Sequence, residues 1–303
     1  MSEQRENACV LALGFFDGVH LGHAALLRRT VERARESGIA PAVMTFDNHP
    51  DALLRGTPVE LINSRSDRER LIRTLFDIQR VEVFHFDRDS MRMSWRDFLS
   101  LCRSLYGAVH FVVGYDFRFG WRGEGNPERL REYCRENGLG CDVIDPVVLD
   151  GVTVSSTHLR ELLSRGDMPG AARFLGHPHV LTDTVRSGRR LGRRIGAPTV
   201  NMGFAPGVLI PPHGVYAVRF SLPEGLFYAV TNIGTRPTVD DSPAVTVESY
   251  ILDFEGDLYG QTLTAEFIAF IRPERRFGSL EELSAQIAKD TRRAREILRQ
   301  REG

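Results

Sequence analysis

The stretch that decides the fold of this 303-residue chain is VLALGFFDGVHLGHAALLRR, residues 10–29. The apolar run over residues 9–13 predicts a buried strand, which Gly14 ends, and a helical pattern follows the turn. Gly18 and Gly22 let the backbone approach a ligand closely. A strand, a glycine-bearing turn and a helix start together form a phosphate site, because free N–H groups and the positive end of the helix dipole point at the ligand.

Two histidines lie at the predicted entrance of that helix. His20 and His23 are three residues apart, so their side chains can project to the same side. Imidazoles there can donate hydrogen bonds to phosphate oxygens and stabilise the charge of a departing pyrophosphate. Metal ligation and a purely structural pairing are the alternatives, although no third ligand of the usual kind is nearby and ligation from a helix favours i,i+4 spacing.

This block carries a family resemblance. HxGH resembles the signature of the nucleotidylyltransferase superfamily, and the longer GxFDGxHxGH resembles the bacterial FAD synthetase family. The resemblance implies a domain that joins FMN to the AMP part of ATP, with His20 and His23 as catalytic residues. It also implies that the other matched positions contact nucleotide or flavin. These positions are Gly14, Phe15, Asp17, Gly18 and Gly22.

The composition is that of a globular chain long enough for two domains, each with its own core. Hydrophobic residues make up 42% of the chain and charged residues 26%, and the formal net charge is −1. Such a balance gives no global attraction to nucleic acid or to an anionic membrane, so we expect neither as a partner, while an oligomer is possible. Lys289 is the only lysine, which excludes a Walker A loop, since that loop requires Gly-Lys-Ser/Thr.

The cysteines and the first residues indicate the compartment. None of the four cysteines belongs to a CxxC pair, which fits a reduced cytoplasmic protein better than a disulfide framework or a zinc site. The polar start MSEQREN is unlike a signal peptide, and no apolar run approaches about 18 residues. We therefore expect a cytoplasmic protein.

Strands and helices alternate through the first half of the chain. Strand-like runs cover residues 9–13, 41–46, 81–86, 108–114 and 141–148, with helical patterns between them. This alternation predicts a Rossmann-like parallel sheet, an α/β fold with right-handed crossovers. Ligands of such sheets bind beyond the carboxyl ends of the strands, and the histidine motif follows such an end.

Two later segments are expected at the same edge of the sheet. TFDNHP, residues 45–50, follows the second strand, and GYDFRFG, residues 114–120, follows the fourth. Their aromatic rings could stack on a planar ligand and a carboxylate could orient one of its polar edges; the alternative is that these rings belong to the core. The candidates are Phe46 and Phe117 or Phe119 for stacking, and Asp116 for orientation.

The second of these segments is similar to the flavin-side loop of the FAD synthetase family, since DFxFG is followed by a Gly–Asn pair. The similarity implies Asn126 as a further contact. The chain departs from the family at Asn48, where proline is usual and would hold the turn more rigidly. Trp121 is a second departure and adds bulk beside the loop.

SSTHLR, residues 155–160, begins a short predicted helix. Adjacent hydroxyls at a helix start can cap the helix, or they can bind phosphate beside a nucleotide. The string resembles SSTxxR, the second ATP-binding element of the same family, which implies phosphate contacts and an arginine that holds the β and γ oxygens. The residues concerned are Ser155, Ser156, Thr157 and Arg160.

The pattern changes near residue 178. Strand-like runs then follow one another from residue 180 to about residue 272 without helical runs between them, which predicts an antiparallel barrel or sandwich. A capping box at residues 279–282 begins a last helix with one apolar side, which we expect to pack on the barrel. We therefore predict two domains, residues 1–177 and residues 178–303.

GRRIGAPTVN, residues 192–201, is the main motif of the second half. Its glycines permit a flap that can close on phosphates. Thr199 and Asn201 are two residues apart in an extended segment, so they face the same side and offer hard oxygen ligands that suit Mg²⁺. The alternative is a turn without a site.

This motif resembles the riboflavin kinase signature GRxxGxPTxN, and later segments agree with that family. The resemblance implies an antiparallel β-barrel riboflavin kinase domain with a C-terminal helix. It also implies Mg²⁺ at Thr199 and Asn201, with ligand contacts elsewhere in the motif and in the later segments. Those contacts are Gly192, Arg193, Gly196, Pro198, Asn232 and Arg275.

Glu248 lies in one of those later segments, VESYILDF. The primary alcohol of riboflavin must lose a proton as it attacks the γ-phosphate, and a carboxylate placed beside it can accept that proton. We therefore expect Glu248 to be the general base. Outside this segment, a lone glutamate in a strand-rich region would be interpreted as an exposed side chain.

The two resemblances cover nearly the whole chain and imply one bifunctional enzyme of flavin cofactor synthesis. Its barrel would convert riboflavin and ATP to FMN and ADP. Its N-terminal domain would join FMN to the AMP part of ATP, giving FAD and pyrophosphate. The first alternative is an adenylyltransferase whose barrel binds flavin but is inactive, and the second is a flavin-sensing or interaction protein on an inherited scaffold.

Overall fold

The computed structural model describes residues 7–186, 199–237 and 243–300. The chain divides into two compact units, Met1–Val59 with Arg68–Ser155, and Glu60–Asp67 with Ser156–Gly303. Two domains are therefore observed as units of packing. The functional division between residues 177 and 178 stays a prediction.

The first unit is built on a five-stranded parallel sheet, as the alternation of strands and helices predicts. Its strands are β1 (Cys9–Leu13), β2 (Ala40–Phe46), β3 (Arg80–Phe84), β4 (Ala108–Gly114) and β5 (Gly140–Ile144). Their order across the sheet is β3-β2-β1-β4-β5, so the chain first builds one side of β1 and then crosses to the other. This reversal opens a crevice at the carboxyl ends of β1 and β4, the usual ligand position in such sheets.

Helices and a short hairpin connect and follow these strands. The helices are α1 (Leu21–Ser37), α2 (Pro50–Arg55), α3 (Arg65–Phe76), α4 (Trp95–Tyr106) and α5 (Pro127–Glu136), and the hairpin is β6 (Val148–Leu149) with β7 (Val152–Thr153). β1 is buried along its whole length, with no residue more than 1% exposed. An unbroken apolar run is what a central strand covered on both faces requires.

Where the structure describes it, the second unit combines two short helices, six antiparallel strands and a long final helix. The helices are α6 (Ser156–Ser164), α7 (Met168–Leu175) and α8 (Leu280–Arg299). The strands are β8 (His179–Thr184), β9 (Thr199–Met202), β10 (Gly214–Leu222), β11 (Gly225–Pro237), β12 (Pro243–Ile251) and β13 (Thr262–Pro273). Their order is β8-β13-β10-β11-β12-β9.

The sheet closes into a barrel through its outermost strands. Arg186, just after β8, forms an antiparallel bridge with Asn201 of β9, and its backbone N–H donates to the Asn201 carbonyl over 2.9 Å. Closure of this kind removes the unpaired edges that an open sheet would expose. The barrel predicted for the second half of the chain is confirmed.

The two faces of the barrel sheet have different partners. The inner face is filled by fully buried aromatic side chains, among them Tyr216 and Phe267, whose rings meet edge to face with centroids 5.5 Å apart. The outer face is covered by α8, whose Ala294 and Leu298 pack against Val215. The predicted packing of the last helix on the barrel is therefore confirmed.

The cysteines are free thiols, as their spacing predicts. In the part of the chain that the structure describes, no helix is long and apolar enough to cross a membrane. The same described residues contain no group of three or more His, Cys, Asp or Glu side chains that could hold a metal ion. The cytoplasmic location stays a prediction.

A buried histidine in the barrel makes the stability of the second unit depend on pH. His179 of β8 is fully buried, and neither ring nitrogen has a hydrogen-bond partner among the described residues. Burial, with a smaller contribution from His177, lowers the pKa of His179 to about 3. The unfolded histidine has a pKa near 6.5. Below that pH His179 binds a proton in the unfolded state but not in the folded state. The free energy of unfolding therefore decreases as pH falls from about 6.5 towards 3.

We expect His179→Phe to remove this loss. Between pH 6.5 and pH 5 the wild-type chain should lose about 2 kcal/mol of unfolding free energy that the variant retains, since one pKa unit is worth about 1.4 kcal/mol. Denaturant unfolding of both proteins at pH 7 and pH 5 measures the difference. Equal pH dependence in the two proteins would contradict the assignment of this acid sensitivity to His179.

Candidate functional site

The turn after β1 holds residues in backbone conformations that side chains rarely adopt. Phe16, Gly18 and Val19 have positive φ angles of 60°, 80° and 46°. For a β-branched residue such as Val19 this conformation costs of order 1–3 kcal/mol, a strain that proteins keep mainly at functional sites. The turn buries Asp17 and His20 and leads directly into α1.

Two glycines of the motif make room for its own rings. A Cβ atom at Gly14 would lie 2.9 Å from the Phe16 ring, and one at Gly22 would lie 3.1 Å from Cε1 of His20. Both distances are shorter than ordinary van der Waals contact. The glycines therefore leave room for the rings of Phe16 and His20, in addition to any approach of the backbone to a ligand.

The two histidine rings are stacked on each other. Their centroids are 3.6 Å apart and their planes are inclined by 14°. Nδ1 of His20 accepts a hydrogen bond from the backbone N–H of His23 over 3.3 Å and so caps α1. Because this bond uses the lone pair of Nδ1, the proton of the neutral His20 ring lies on Nε2, which can donate to an anion.

His23 is held in its neutral form. Burial lowers the pKa of His23 well below its ordinary value, and the charges of His20 and Arg68 lower it further. Nδ1 of His23 is buried and has no hydrogen-bond partner among the described residues. Buried polar atoms are nearly always hydrogen-bonded. The lack of a partner for this nitrogen among the described residues, at a crevice of the sheet, therefore indicates a ligand site.

A cavity of about 500 Å³ opens beside His23 at the carboxyl ends of the parallel strands. This volume falls within the roughly 300–1,000 Å³ that is typical of small-molecule sites. The cavity brings together a large part of the predicted nucleotide and flavin contacts. The predicted residues that line it are Gly14, Phe15, Phe46, Asp116, Phe117 and Phe119.

Sequence reasoning missed most of the apolar wall of this cavity. Phe84 ends β3 and Phe86 follows it, and both rings pack edge to face against Phe46 with centroids 6.0 and 5.6 Å away. The rule that singled out Phe46, the last residue of its strand, applies equally to Phe86, the last residue of the predicted run 81–86, so this signal was present in the sequence. Met91 and Met93 also line the wall and carry no comparable signal.

Hydrogen bonds hold the turn at Asn48, where the family usually has proline. Nδ2 of Asn48 donates to the carbonyl of Phe86 over 3.0 Å. The carboxylate of Asp47 accepts from the backbone N–H groups of Asn48 and Phe86 over 2.7 and 2.9 Å. These bonds connect the turn to the apolar wall of the cavity. They also restrict the backbone of the turn, as a proline ring would.

Asn126 caps a helix, as the Asn–Pro pair at residues 126–127 predicts. Its Oδ1 accepts a hydrogen bond from the backbone N–H of Arg129 over 2.9 Å and caps α5. It is not among the described residues that line the cavity, and neither are Asp17 and Gly18, which lie within the turn. Ligand contacts by these three residues stay predictions.

The SSTxxR motif spans the division between the two units. Ser155 is the last residue of the first unit, and α6 begins at Ser156 in the second. Nε of Arg160 donates to the carbonyl of Glu60 over 2.6 Å within the second unit. Phosphate binding by Ser155, Ser156, Thr157 and Arg160 stays a prediction.

The register of the barrel strands brings the second set of predicted residues together. Asn201 of β9 is directly opposite Glu248 of β12, which is in turn directly opposite Asn232 of β11. Cβ atoms of such opposite residues lie about 4.5–5.5 Å apart. Thr199, two residues before Asn201, faces the same side. Asn201, one of the predicted metal ligands, thus forms one cross-strand row with the predicted base and Asn232, while Thr199 lies opposite Tyr250 of β12.

This row lies on the outer face of the barrel. Val247 and Ser249, the neighbours of Glu248 along β12, are fully buried. Ser249 accepts a hydrogen bond from the hydroxyl of Thr231 over 2.8 Å in the interior. Because side chains alternate between faces along a strand, Glu248 points outward, to the side that α8 covers.

The oxygen atoms of Asn201 in this row and of Thr199 beside it fit a magnesium ion. Oδ1 of Asn201 is buried and has no hydrogen-bond partner among the described residues. Amide and hydroxyl oxygens such as those of Asn201 and Thr199 are hard ligands, which Mg²⁺ prefers. The rest of the predicted phosphate flap, Gly192, Arg193, Gly196 and Pro198, lies outside the described residues.

The segment after β13 contributes a carboxylate that sequence reasoning missed. Oε1 of Glu274 accepts a hydrogen bond from Nδ2 of Asn232 over 3.4 Å. A Cβ atom at Gly234 would collide with the Glu274 carboxylate, so the glycine permits this approach. Arg275, a predicted ligand contact, has its guanidinium carbon 4.6 Å from the centroid of the Phe277 ring.

Two family models match different halves of the chain. A family model described as FAD synthetase matches residues 2–158, and one described as riboflavin kinase matches residues 175–298. The bifunctional riboflavin kinase/FMN adenylyltransferase of Listeria monocytogenes is 34% identical over 93% of this chain and 90% of its own length. The protein of the same description from Escherichia coli K12 is 37% identical over 98% of this chain and 95% of its own length.

A solved structure resembles the chain over nearly its full length. It is described as a macrolide-efflux protein from Streptococcus pneumoniae and superposes with a TM-score of 0.82 at 26% identity. The superposition covers 95% of this chain and 94% of that one. The likeness therefore extends over both units of the fold.

Proposed function

This chain belongs to the family of bifunctional riboflavin kinase/FMN adenylyltransferases, and on that basis we propose that it makes FAD from riboflavin in two steps. In the first, riboflavin and ATP give FMN and ADP. In the second, FMN and the AMP part of another ATP give FAD and pyrophosphate. The observation that carries the proposal is that one chain holds both the stacked His20–His23 pair and the row of Asn201, Glu248 and Asn232.

In the kinase step, Glu248 accepts the proton of the primary hydroxyl of riboflavin as that oxygen attacks the γ-phosphate. The cross-strand position of Asn201 beside Glu248 supports this role, because the base must reach the alcohol that attacks the phosphate held by the metal. Thr199 and Asn201 would hold Mg²⁺, which neutralises phosphate charge when it is bound. Asn232, directly opposite Glu248 on the neighbouring strand, would contact the ligand.

In the adenylyl step, the phosphate of FMN is already a nucleophile, so the protein supplies positioning and charge stabilisation and no covalent intermediate is needed. The aromatic cavity beside His23 holds the planar flavin ring. Nε2 of His20 donates to the phosphate oxygens as pyrophosphate departs. The proposed second phosphate-binding element consists of Ser155, Ser156, Thr157 and Arg160.

The test is a time course with the purified full chain, riboflavin, ATP and Mg²⁺, with the flavins separated by chromatography. We expect FMN to appear first and FAD to follow at its expense. A preparation that converts supplied FMN to FAD but never phosphorylates riboflavin would remove the kinase from the proposal. A preparation that makes FMN but no FAD would remove the adenylyltransferase activity from the proposal.

The turn at Asn48 gives a more local prediction. We expect Asn48→Ala to raise the KM for FMN in the second step about two- to tenfold, which corresponds to the loss of one hydrogen bond. The reason is that Phe86, in the apolar wall of the cavity, loses its hydrogen bond to Asn48. The kcat of that step should change little. Steady-state kinetics with FMN as the varied substrate measure the effect, and riboflavin phosphorylation by the same preparation is the internal control. An unchanged KM for FMN would contradict it.

A further inference from the structure

Arg68 of α3 is a buried arginine that neither predicted motif includes. It is 1% exposed and belongs to the first unit. A guanidinium keeps its charge at every accessible pH, and burying a charge is unfavourable unless other groups compensate for it. We therefore expect the groups around Arg68 to compensate for the burial of its charge.

The contacts of Arg68 lead to the flavin cavity. One terminal nitrogen of its guanidinium donates to the carbonyl of Phe46, the last residue of β2, over 2.8 Å. Its guanidinium carbon lies 4.2 Å from the centroid of the Phe15 ring, the geometry of a cation–π contact. The His49 ring lies against Phe15 as well, with centroids 4.5 Å apart. Phe15, Phe46 and His49 all line the cavity.

The charge of Arg68 also reaches the stacked histidines. Burial is the largest cause of the lowered pKa of His23, and the charges of His20 and Arg68 add to it. Other charged or titratable groups line the same cavity from the turn before α2, from the start of α2 and from the loop after β4. These are His49, Asp51, Asp116, Arg118 and Arg122.

We propose that Arg68 is a positioning residue of the adenylyl-transfer site, which fixes Phe15 and the end of β2 as one wall of the flavin cavity and places its permanent positive charge behind that wall. The inference rests on the proposed adenylyl step. Arg68 does not touch the substrate, since it is buried behind the wall. The planar guanidinium and its charge have separable effects. The geometry of the guanidinium affects the binding of FMN, and its charge affects the rate of adenylyl transfer.

Two substitutions separate these consequences. Arg68→Lys keeps the charge but loses the fork, so it should raise the KM for FMN about threefold or more and leave kcat nearly unchanged. Arg68→Met loses both, so kcat for FAD formation should also fall about tenfold. Without the charge the pKa of His23 rises, so the acid side of the pH profile should move to higher pH in Arg68→Met and stay in place in Arg68→Lys.

The controls distinguish this role from a purely structural one. Arg73→Met, on the same helix, removes a partly exposed arginine that pairs with Glu69, and should leave both activities unchanged. Riboflavin phosphorylation should stay at the wild-type rate in the Arg68 variants. Should Arg68→Met fail to fold, the KM for FMN of Arg68→Lys decides the question.

Three results would overturn the inference. The first is an Arg68→Lys variant with an unchanged KM for FMN. The second is an Arg68→Met variant with an unchanged kcat and pH profile. The third is a parallel fall of both activities with the melting temperature, which would make Arg68 a structural residue only. A wild-type chain that makes no FAD from FMN would contradict the proposed function itself, so that failure is distinguishable from the other three.

Discussion

Replacing Glu248 with glutamine is expected to lower the rate of FMN formation from riboflavin by about 10²- to 10⁴-fold, the range of a positioned general base. Glutamine keeps the size and the cross-strand position opposite Asn201 and Asn232 but cannot accept the proton of the alcohol. The conversion of supplied FMN to FAD should keep its rate, because that step needs no base. Initial rates with riboflavin and with FMN as separate substrates measure both effects.

The matched control is Glu296→Gln, on the outer helix α8, where the carboxylate forms an exposed ion pair with Arg293. Exposed pairs of this kind contribute little, so both activities should be unchanged. A Glu248→Gln enzyme that phosphorylates riboflavin at the wild-type rate would contradict the role of Glu248. The alternative in which the barrel only binds flavin makes that prediction.

Replacing His20 with asparagine is expected to lower FAD formation from FMN by about 10²- to 10³-fold, the loss that follows removal of one donor to a developing negative charge. Asparagine is among the best helix caps, so the backbone N–H of His23 keeps an acceptor and α1 should keep its stability. What the variant lacks is the Nε2 donor. Riboflavin phosphorylation by the same protein should be unaffected.

The asparagine variant tests the structural alternative for the histidine pair. If His20 served only to cap α1, His20→Asn would be fully active, and that result would contradict the catalytic assignment.

A mixture of His20→Asn and Glu248→Gln chains adds a second check. The mixture should make FAD from riboflavin, because FMN released by one variant can be used by the other.

The first unit was predictable from sequence because its signals are local. The run ending at Gly14, the alternation of strands and helices, and the position of Phe46 at a strand end all follow from periodicity and turn residues. The same rule would have given Phe86, the last residue of the predicted third strand. Met91 and Met93 come from a turn after β3 that approaches the cavity only in the folded unit, and no sequence spacing reveals this.

The second unit shows what local signals cannot supply. Thr199 and Asn201 were placed on one side by the two-residue period of a strand. That Glu248 lies directly opposite Asn201 depends on a register between strands nearly fifty residues apart, as the pairing of β9 with β12 shows. Closure of the barrel through Arg186 and the contact of Glu274 with Asn232 are likewise tertiary. Without the motif resemblance, Glu248 would have been interpreted as an exposed residue.

The most direct test follows two phosphorus atoms of ATP through the reaction. The full chain is incubated with riboflavin and Mg²⁺, once with ATP labelled at the γ-phosphorus and once with ATP labelled at the α-phosphorus, and the flavins are separated. We predict γ-label in FMN and later in the flavin phosphate of FAD, and α-label only in FAD. Label from the γ-position that never enters a flavin, or α-label that never enters FAD, would contradict the proposal that one chain directs two different phosphorus atoms to a flavin.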